Sequence, residues 1–294
     1  MMSKLKKRNR VCLKAAGLIF IAATLFICSS CGKTQTDNTS SYIESNESFV
    51  LTAAKDQNSS SSGVELSSLD NSCVGWGPGK VTDNQRPSYA VSCNQKYKEY
   101  DAIFVGEDSK KVYMTFDEGY ENGYTAPILD TLKEKGVKAV FFVTYDYVKR
   151  NPELVKRMID EGHSVGNHSW SHPSMPSVSA EKAEEEIMKL HKLVKEQFNY
   201  EMKLFRFPMG EFSTRTLALC KNCGYKSVFW SFAYVDWKTD AQPPAQESLE
   251  KVVDGAHNGA IYLLHAVSST NSSILGDVID KVRSQGYKWS EFDI

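Results

Sequence analysis

Cysteine is scarce in this 294-residue chain: there are seven, and three of them (Cys12, Cys28 and Cys31) fall within the first 31 residues. The other four give a single CxxC, Cys220 with Cys223, plus Cys73 and Cys93. One CxxC cannot supply four zinc ligands. This one reads as a helix end before Gly224 rather than a strand-to-helix start, which argues against a zinc ribbon or a thioredoxin-like redox site. No apolar run reaches membrane-spanning length, since residues 15–27 give only 13 positions, interrupted by Thr24. No internal repeat supports a solenoid or a propeller. Positive charge is lacking as well once the N-terminal segment is set aside. Without its six basic residues, 29 Lys+Arg stand against 36 Asp+Glu, about −7, the opposite of the balance in nucleic-acid binders.

What is present begins with a leader. Lys4, Lys6, Lys7, Arg8, Arg10 and Lys14 precede the apolar run, which closes on Cys28-Ser-Ser-Cys31-Gly32. Residues 1–31 therefore read as a secretory signal, of lipoprotein type if Cys31 is acylated, or as an uncleaved N-terminal anchor. Either way the rest is expected outside the cytoplasm, tethered to a membrane or secreted. Residues 32–70 are rich in Ser, Thr and Asn and have no sustained apolar period, so they read as a tether. Residues 71–110 read as a turn-rich lead-in packed on a catalytic domain at 111–294. In that compartment disulfides Cys73–Cys93 and Cys220–Cys223 are expected.

The domain is organised around residues 111–124, KVYMTFDEGYENGY. Val112, Met114 and Phe116 alternate with Tyr113 and Thr115, as in a strand inside a sheet. The run ends on Asp117, Glu118 and Gly119. Two acids where a buried strand runs out need a metal ion, an arginine or a catalytic cleft to offset desolvation; in water they would be an ordinary acidic turn. Four later apolar runs end alike. Residues 164–167 lead to His168 and His172, 203–207 carry Arg206 and lead to Pro208 and Met209, 227–232 lead to Asp236 and Trp237, and 260–264 end on His265. Helical stretches at 125–135, 151–161 and for about 20 residues from Ser179 separate them, which predicts a parallel α/β sheet, closed or nearly closed as a barrel. In such sheets, sites form at the C-terminal ends of the strands. His168 and His172, four apart, can meet one ion from a helical turn or a tight loop, and one carboxylate would complete a three-ligand site. The other reading of that pair is a surface coincidence. His163, His191 and His257 read as solvent or packing residues.

TFDEG, HSWSH, RFPMG, the DW pair and LLH, in that order, resemble the motif series of the polysaccharide deacetylases, the NodB-homology proteins of carbohydrate esterase family 4. The resemblance spans residues 111–294. GYENGYT, GEFS and residues 76–100 are most similar to the sporulation branch that makes muramic-δ-lactam in spore-cortex peptidoglycan. The resemblance implies a distorted (β/α) barrel of about seven parallel strands in a single catalytic domain. It also implies metal-dependent hydrolytic de-N-acetylation of N-acetylmuramic acid in peptidoglycan. It assigns His168, His172 and Glu118 to a divalent ion, zinc first, cobalt or manganese next. Asp117 becomes the general base and His265 the general acid, with Arg206 holding Asp117 ionised and Asp236 orienting His265; otherwise these two charges are a structural ion pair. The Met209 N–H, beside Pro208, becomes an oxyanion donor worth about 3 kcal/mol, and Trp237 lines the substrate. Glu118 departs from the family's usual Asp, and its added methylene moves the carboxylate by about 1.5 Å. The partners implied are a peptidoglycan strand and, through the leader, a membrane; no nucleic acid is expected, and the chain is expected to be a monomer. Alternatives are a deacetylase of N-acetylglucosamine polymers or acetylated xylan, and a non-catalytic cell-wall-binding protein. A binder has no need of Asp117, His168, His172 and His265 together.

Overall fold

The computed structural model describes residues 64–293 except 80 and 82. The leader expected at 1–31 and the tether as far as residue 63 lie outside them. Residues 64–70, also read as tether, lie against the folded part. Leu66 and Leu69 pack on its core, the Val64 N–H donates to Asn222 Oδ1 at 2.9 Å, and Asn222 Nδ2 donates to the Val64 carbonyl at 2.8 Å. The lead-in contributes β1 (Val74–Gly75), α1 (Ser88–Lys96) and β2 (Ala102–Ile103). It is stapled by Trp76, whose ring meets Phe104 at 4.6 Å and whose Nε1 donates to the Trp230 carbonyl at 3.0 Å.

From Lys111 onward strands and helices alternate: β3 (Lys111–Glu118), α2 (Thr125–Glu134), β4 (Ala139–Val143), α3 (Tyr145–Arg150), α4 (Pro152–Asp160) and β5 (Ser164–Asn167). There follow α5 (Ala180–Phe198), β6 (Leu204–Phe205), β7 (Glu211–Phe212), α6 (Thr214–Asn222), β8 (Lys226–Val228) and β9 (Phe232–Ala233). The domain ends with α7 (Ala245–Asp254), β10 (Ile261–His265), α8 (Ser269–Ser284) and β11 (Lys288–Trp289). Local signals set the boundaries. Ser179 caps α5 by accepting from the Lys182 N–H at 3.2 Å, and Gly136 and Gly162, at φ 60° and 79°, follow α2 and α4 in the left-handed conformation that stops a helix. The short α3, capped by Thr144, has no counterpart among the expected helices.

The main sheet is parallel throughout, in the order β2-β8-β6-β5-β4-β3-β10-β9, with β11 beside the start of β3. The run 227–232, expected as one strand, is two. β8 lies beside β6, and after Phe229, Trp230 and Ser231 the chain continues as β9 beside β10. This bend carries the chain from one edge of the curved sheet to the other. Among the described residues the hydrogen-bonded order stays open between β2 and β9, a half-barrel within the distorted (β/α) barrel fold. Strand pleating then sorts β3 by parity. Tyr113 belongs to a small apolar cluster made by strands alone, with Val140, Phe142, Leu204, Val228 and Ile261, which fills the barrel. Val112, Met114 and Phe116 belong to the larger cluster between the sheet and the helices.

All four described cysteines are free, so neither expected disulfide is formed. Cys220 and Cys223 are one turn apart at the end of α6, where Cβ atoms stand about 5–6 Å apart, beyond the reach of a disulfide. Cys93 is buried on α1 while Cys73 is exposed. The three remaining histidines pack: His163 Nδ1 accepts from the Ala139 N–H, His191 meets the Tyr225 hydroxyl at 2.6 Å, and His257 meets Ser231 Oγ at 2.8 Å.

Gly166 on β5 makes room for Phe142, because a Cβ there would stand 2.4 Å from the Phe142 ring. That ring in turn carries the Arg206 guanidinium at 4.2 Å. Gly166→Ala is expected to destabilise the domain by about 1–3 kcal/mol through overpacking. A urea midpoint equal to that of the wild type would contradict this packing.

Candidate active site

Asp117 and His265 face each other in register at the C-terminal ends of β3 and β10. Inward pointing follows from the pleat, which places Thr115 and Asp117 on the same side of β3 as Tyr113. Arg206, just after β6, reaches them from across the barrel and is fully buried. Its Nη1 donates to Asp117 Oδ1 at 2.8 Å and to Thr115 Oγ1 at 2.7 Å, Nε donates to the Val228 carbonyl at 3.0 Å, and Nη2 donates to the Phe229 carbonyl at 3.1 Å. Burial pushes the Asp117 carboxyl up, but Arg206, with His168 and His265, outweighs it and holds the carboxyl below its ordinary value. Asp117 is therefore ionised at neutral pH, with Oδ2 free of the arginine.

His168 is the first residue after β5. Its Nδ1 lies 2.8 Å from the Arg206 carbonyl, which can only accept, so Nδ1 carries the proton and Nε2 presents its lone pair. That Nε2 is 3.6 Å from Asp117 Oδ2. His172 follows in a tight loop, the second of the two expected settings, with its ring centroid 4.8 Å from that of His168. Burial lowers His168 to about 4 despite the neighbouring Asp117, and lowers His172 below its ordinary value. Both imidazoles are neutral at pH 7 and able to act as ligands.

His265 is set by a second buried carboxylate. Asp236 Oδ1 accepts from His265 Nδ1 at 2.7 Å, and Asp236 Oδ2 accepts from the His265 N–H at 2.9 Å and from Asn271 Nδ2 at 2.6 Å. Burial works against the imidazolium, yet the Asp236 hydrogen bond and charge prevail and hold His265 above its ordinary value. Arg206 and Asp236 thus serve different partners and are not an ion pair with each other. Trp237 is half exposed, its ring 5.6 Å from that of His265. Pro208–Gly210 forms a turn in which Pro208 is buried and Met209 has φ 57° with an exposed side chain.

Glu118 is the correction. It follows Asp117 on the same strand, so the pleat turns it toward the helix layer rather than the histidines. It is fully buried with neither carboxylate oxygen partnered, and burial, Glu121 and Asp117 raise it well above its ordinary value. Among the described residues no three His, Cys, Asp or Glu side chains converge as a metal site. The donors that fit a borderline divalent ion are the two neutral imidazoles; the third protein ligand expected at 118 is absent from the site. Thr115 and Asn271 are site residues that sequence reasoning missed. Thr115 was legible from the parity of β3, whereas nothing in the sequence marks Asn271.

Residues 105–228 match the family model described as polysaccharide deacetylase. Over 232 residues the chain is 39% identical to peptidoglycan-N-acetylmuramic acid deacetylase PdaA of Bacillus subtilis (strain 168), covering 78% of this chain and 88% of that protein. The chain belongs to the polysaccharide deacetylase family. The chain also resembles the solved structure of Bacillus subtilis PdaA, a family 4 carbohydrate esterase. The TM-score is 0.72 at 40% identity, covering 75% of this chain and 95% of that one. With peptidoglycan-N-acetylglucosamine deacetylase PgdA of Listeria monocytogenes it is 37% identical over 208 residues, 69% of this chain and 43% of that protein.

The placement of Glu118 makes a direct prediction. Glu118→Gln is expected to leave zinc affinity within about twofold of the wild type, and His172→Ala to weaken it by about tenfold or more. Calorimetric titration of metal into the stripped proteins checks both, and a tenfold loss in Glu118→Gln would return Glu118 to the ligand set.

Proposed function

We propose that this chain hydrolytically de-N-acetylates N-acetylmuramic acid residues in peptidoglycan. One observation carries the reading: two titratable groups on paired strands are driven apart by separate buried partners. Arg206 at 2.8 Å from Asp117 favours its ionised form and Asp236 at 2.7 Å from His265 favours its protonated form, the division of labour that acid–base hydrolysis needs. The muramic acid preference is supported by the 39% identical relative, whose length the chain nearly spans, and by the GYENGYT and GEFS motifs.

Asp117 Oδ2 takes a proton from the attacking water, whose oxygen bonds to the acetyl carbonyl carbon. Negative charge gathers on the former carbonyl oxygen, and the Met209 N–H, beside Pro208, is the backbone donor assigned to it. His265, protonated on both nitrogens and oriented through Nδ1 by Asp236, gives its Nε2 proton to the departing nitrogen. The C–N bond then breaks, leaving acetate and a free amine on the sugar. Trp237 flanks His265 and is assigned to the sugar ring. A divalent ion held by His168 and His172, zinc first and cobalt or manganese next by ligand chemistry, would supply polarisation of the acetyl carbonyl. The freed amine shares its sugar with the lactyl group, so the reaction prepares a muramic-δ-lactam, in keeping with a role in spore cortex. The leader at 1–31 supports action outside the cytoplasm, tethered at the membrane or secreted.

Mass spectrometry of muropeptides after incubation with purified protein and metal tests this. Loss of one acetyl group on muramic acid is expected. Loss confined to glucosamine would favour the N-acetylglucosamine reading, and no loss at all would favour the cell-wall-binding one.

A further inference from the structure

The loop that carries His168 and His172 is not a relaxed one. Ser169 has φ 69° and His172 has φ 59°, both in the left-handed region that non-glycine residues avoid. Each such residue costs about 1–3 kcal/mol and persists only where its surroundings over-determine it. Part of that restraint is local: the Ser169 N–H donates to Asn167 Oδ1 at 2.9 Å, and the His172 N–H donates to Ser169 Oγ at 2.9 Å. The rest comes from Glu186, on α5. Its side chain is 1% exposed, an unusual place for a carboxylate. Oε2 accepts from the Ser171 N–H at 2.7 Å, Oε1 accepts from Ser171 Oγ at 2.9 Å, and its backbone carbonyl accepts from the Trp170 N–H at 3.0 Å. Lys182 Nζ stands 3.2 Å from Oε1 and offsets the charge from outside.

Three hydrogen bonds from one residue therefore hold Trp170 and Ser171, the two residues immediately before His172. Trp170 is pinned further by its stack on Tyr145 at 3.7 Å. A buried carboxylate costs several kcal/mol in desolvation, and core packing alone would be served equally well by leucine or methionine at this helical position. The hydrogen bonds and ion pair of Glu186 go to Trp170, Ser171 and Lys182 and not to either imidazole.

We infer that Glu186 is a positioning residue: it fixes the 169–172 turn so that the His172 imidazole stands beside His168 in the geometry that binds a divalent ion. The inference rests on the reading that these two histidines hold the ion. Glu186→Ala should then weaken zinc affinity by about tenfold or more, the usual scale for losing a group that orients a ligand. At saturating zinc kcat should fall while KM stays near that of the wild type, because no substrate contact is lost. Glu186→Gln retains one acceptor for the Ser171 N–H and should recover part of both losses.

The experiment is calorimetric zinc titration of the full chain, wild type and variants, with a thermal melt of each metal-free protein and kcat and KM for each. Where Glu186→Ala does not fold, Ser171→Ala decides. It removes only the Oγ bond and is expected to weaken zinc about threefold with only a small lowering of the metal-free melt. Zinc affinity in the folded variant within about twofold of the wild type would overturn the inference. So would a loss of affinity that Glu186→Gln does not recover in part. A wild-type protein that binds no zinc would instead overturn the two-histidine reading, so the two failures are distinct.

Discussion

The structure depends on a guanidinium with no access to water. Arg206 must find a partner for every donor inside the barrel, and the partners it takes are the parts of the site. Its side chain joins Asp117 and Thr115 on one strand to the Val228 and Phe229 carbonyls on the bent run that links the two edges of the sheet. Its backbone does the rest: the carbonyl fixes the His168 tautomer, and its N–H donates to the Asn167 carbonyl at 3.0 Å. Removing one member of a buried ion pair typically costs about 3–5 kcal/mol, because the other charge is left stranded. The bent run, the Asp117 carboxylate and the first histidine are therefore held by one residue.

Chemistry follows from how that charge is shared out. Asp117 and His265 occupy paired positions on neighbouring strands, and burial alone would push both toward neutrality. Arg206 overrides burial at the carboxylate, and Asp236 overrides it at the imidazole. Asp236 is itself tied down by Asn271, which also donates to the His265 carbonyl at 3.1 Å and accepts from the Tyr234 hydroxyl. The histidine pair is treated oppositely. With no carboxylate bonded to either ring, burial leaves both neutral, as metal ligands must be.

Much of this is legible in the sequence. Apolar runs ending in polar stations gave the parallel barrel, and the stations Asp117, His168, Arg206, Asp236 and His265 do meet at one end of it. Glu118 was misplaced by reading adjacency in sequence as adjacency in space. The alternation of Val112, Met114 and Phe116 already put residue 118 with the outward set. The bend at 229–231 was hidden because an apolar run reads the same whether it pairs with one neighbour or two. Asn271 and Glu186 were out of reach, since each lies in a helix whose sequence reads as ordinary and acts through a fold-specific contact. The disulfide expectation came from the compartment, and for Cys220 and Cys223 the helical spacing decides against it.

The pH dependence of kcat/KM in the wild type and in Asp236→Asn tests the central claim, that two buried partners set base and acid apart. In the wild type the acidic limb should lie below the ordinary carboxylate range, because the Asp117 carboxyl is held down and is ionised above that point. The alkaline limb should lie above the ordinary imidazole value, because His265 is held protonated until its raised value is passed. Replacing Asp236 removes what favours the imidazolium, so the alkaline limb should move to lower pH while the acidic limb moves less. The limbs belong to coupled groups and are read as apparent values. An alkaline limb that stays where it was would contradict the account and take the acid role from His265.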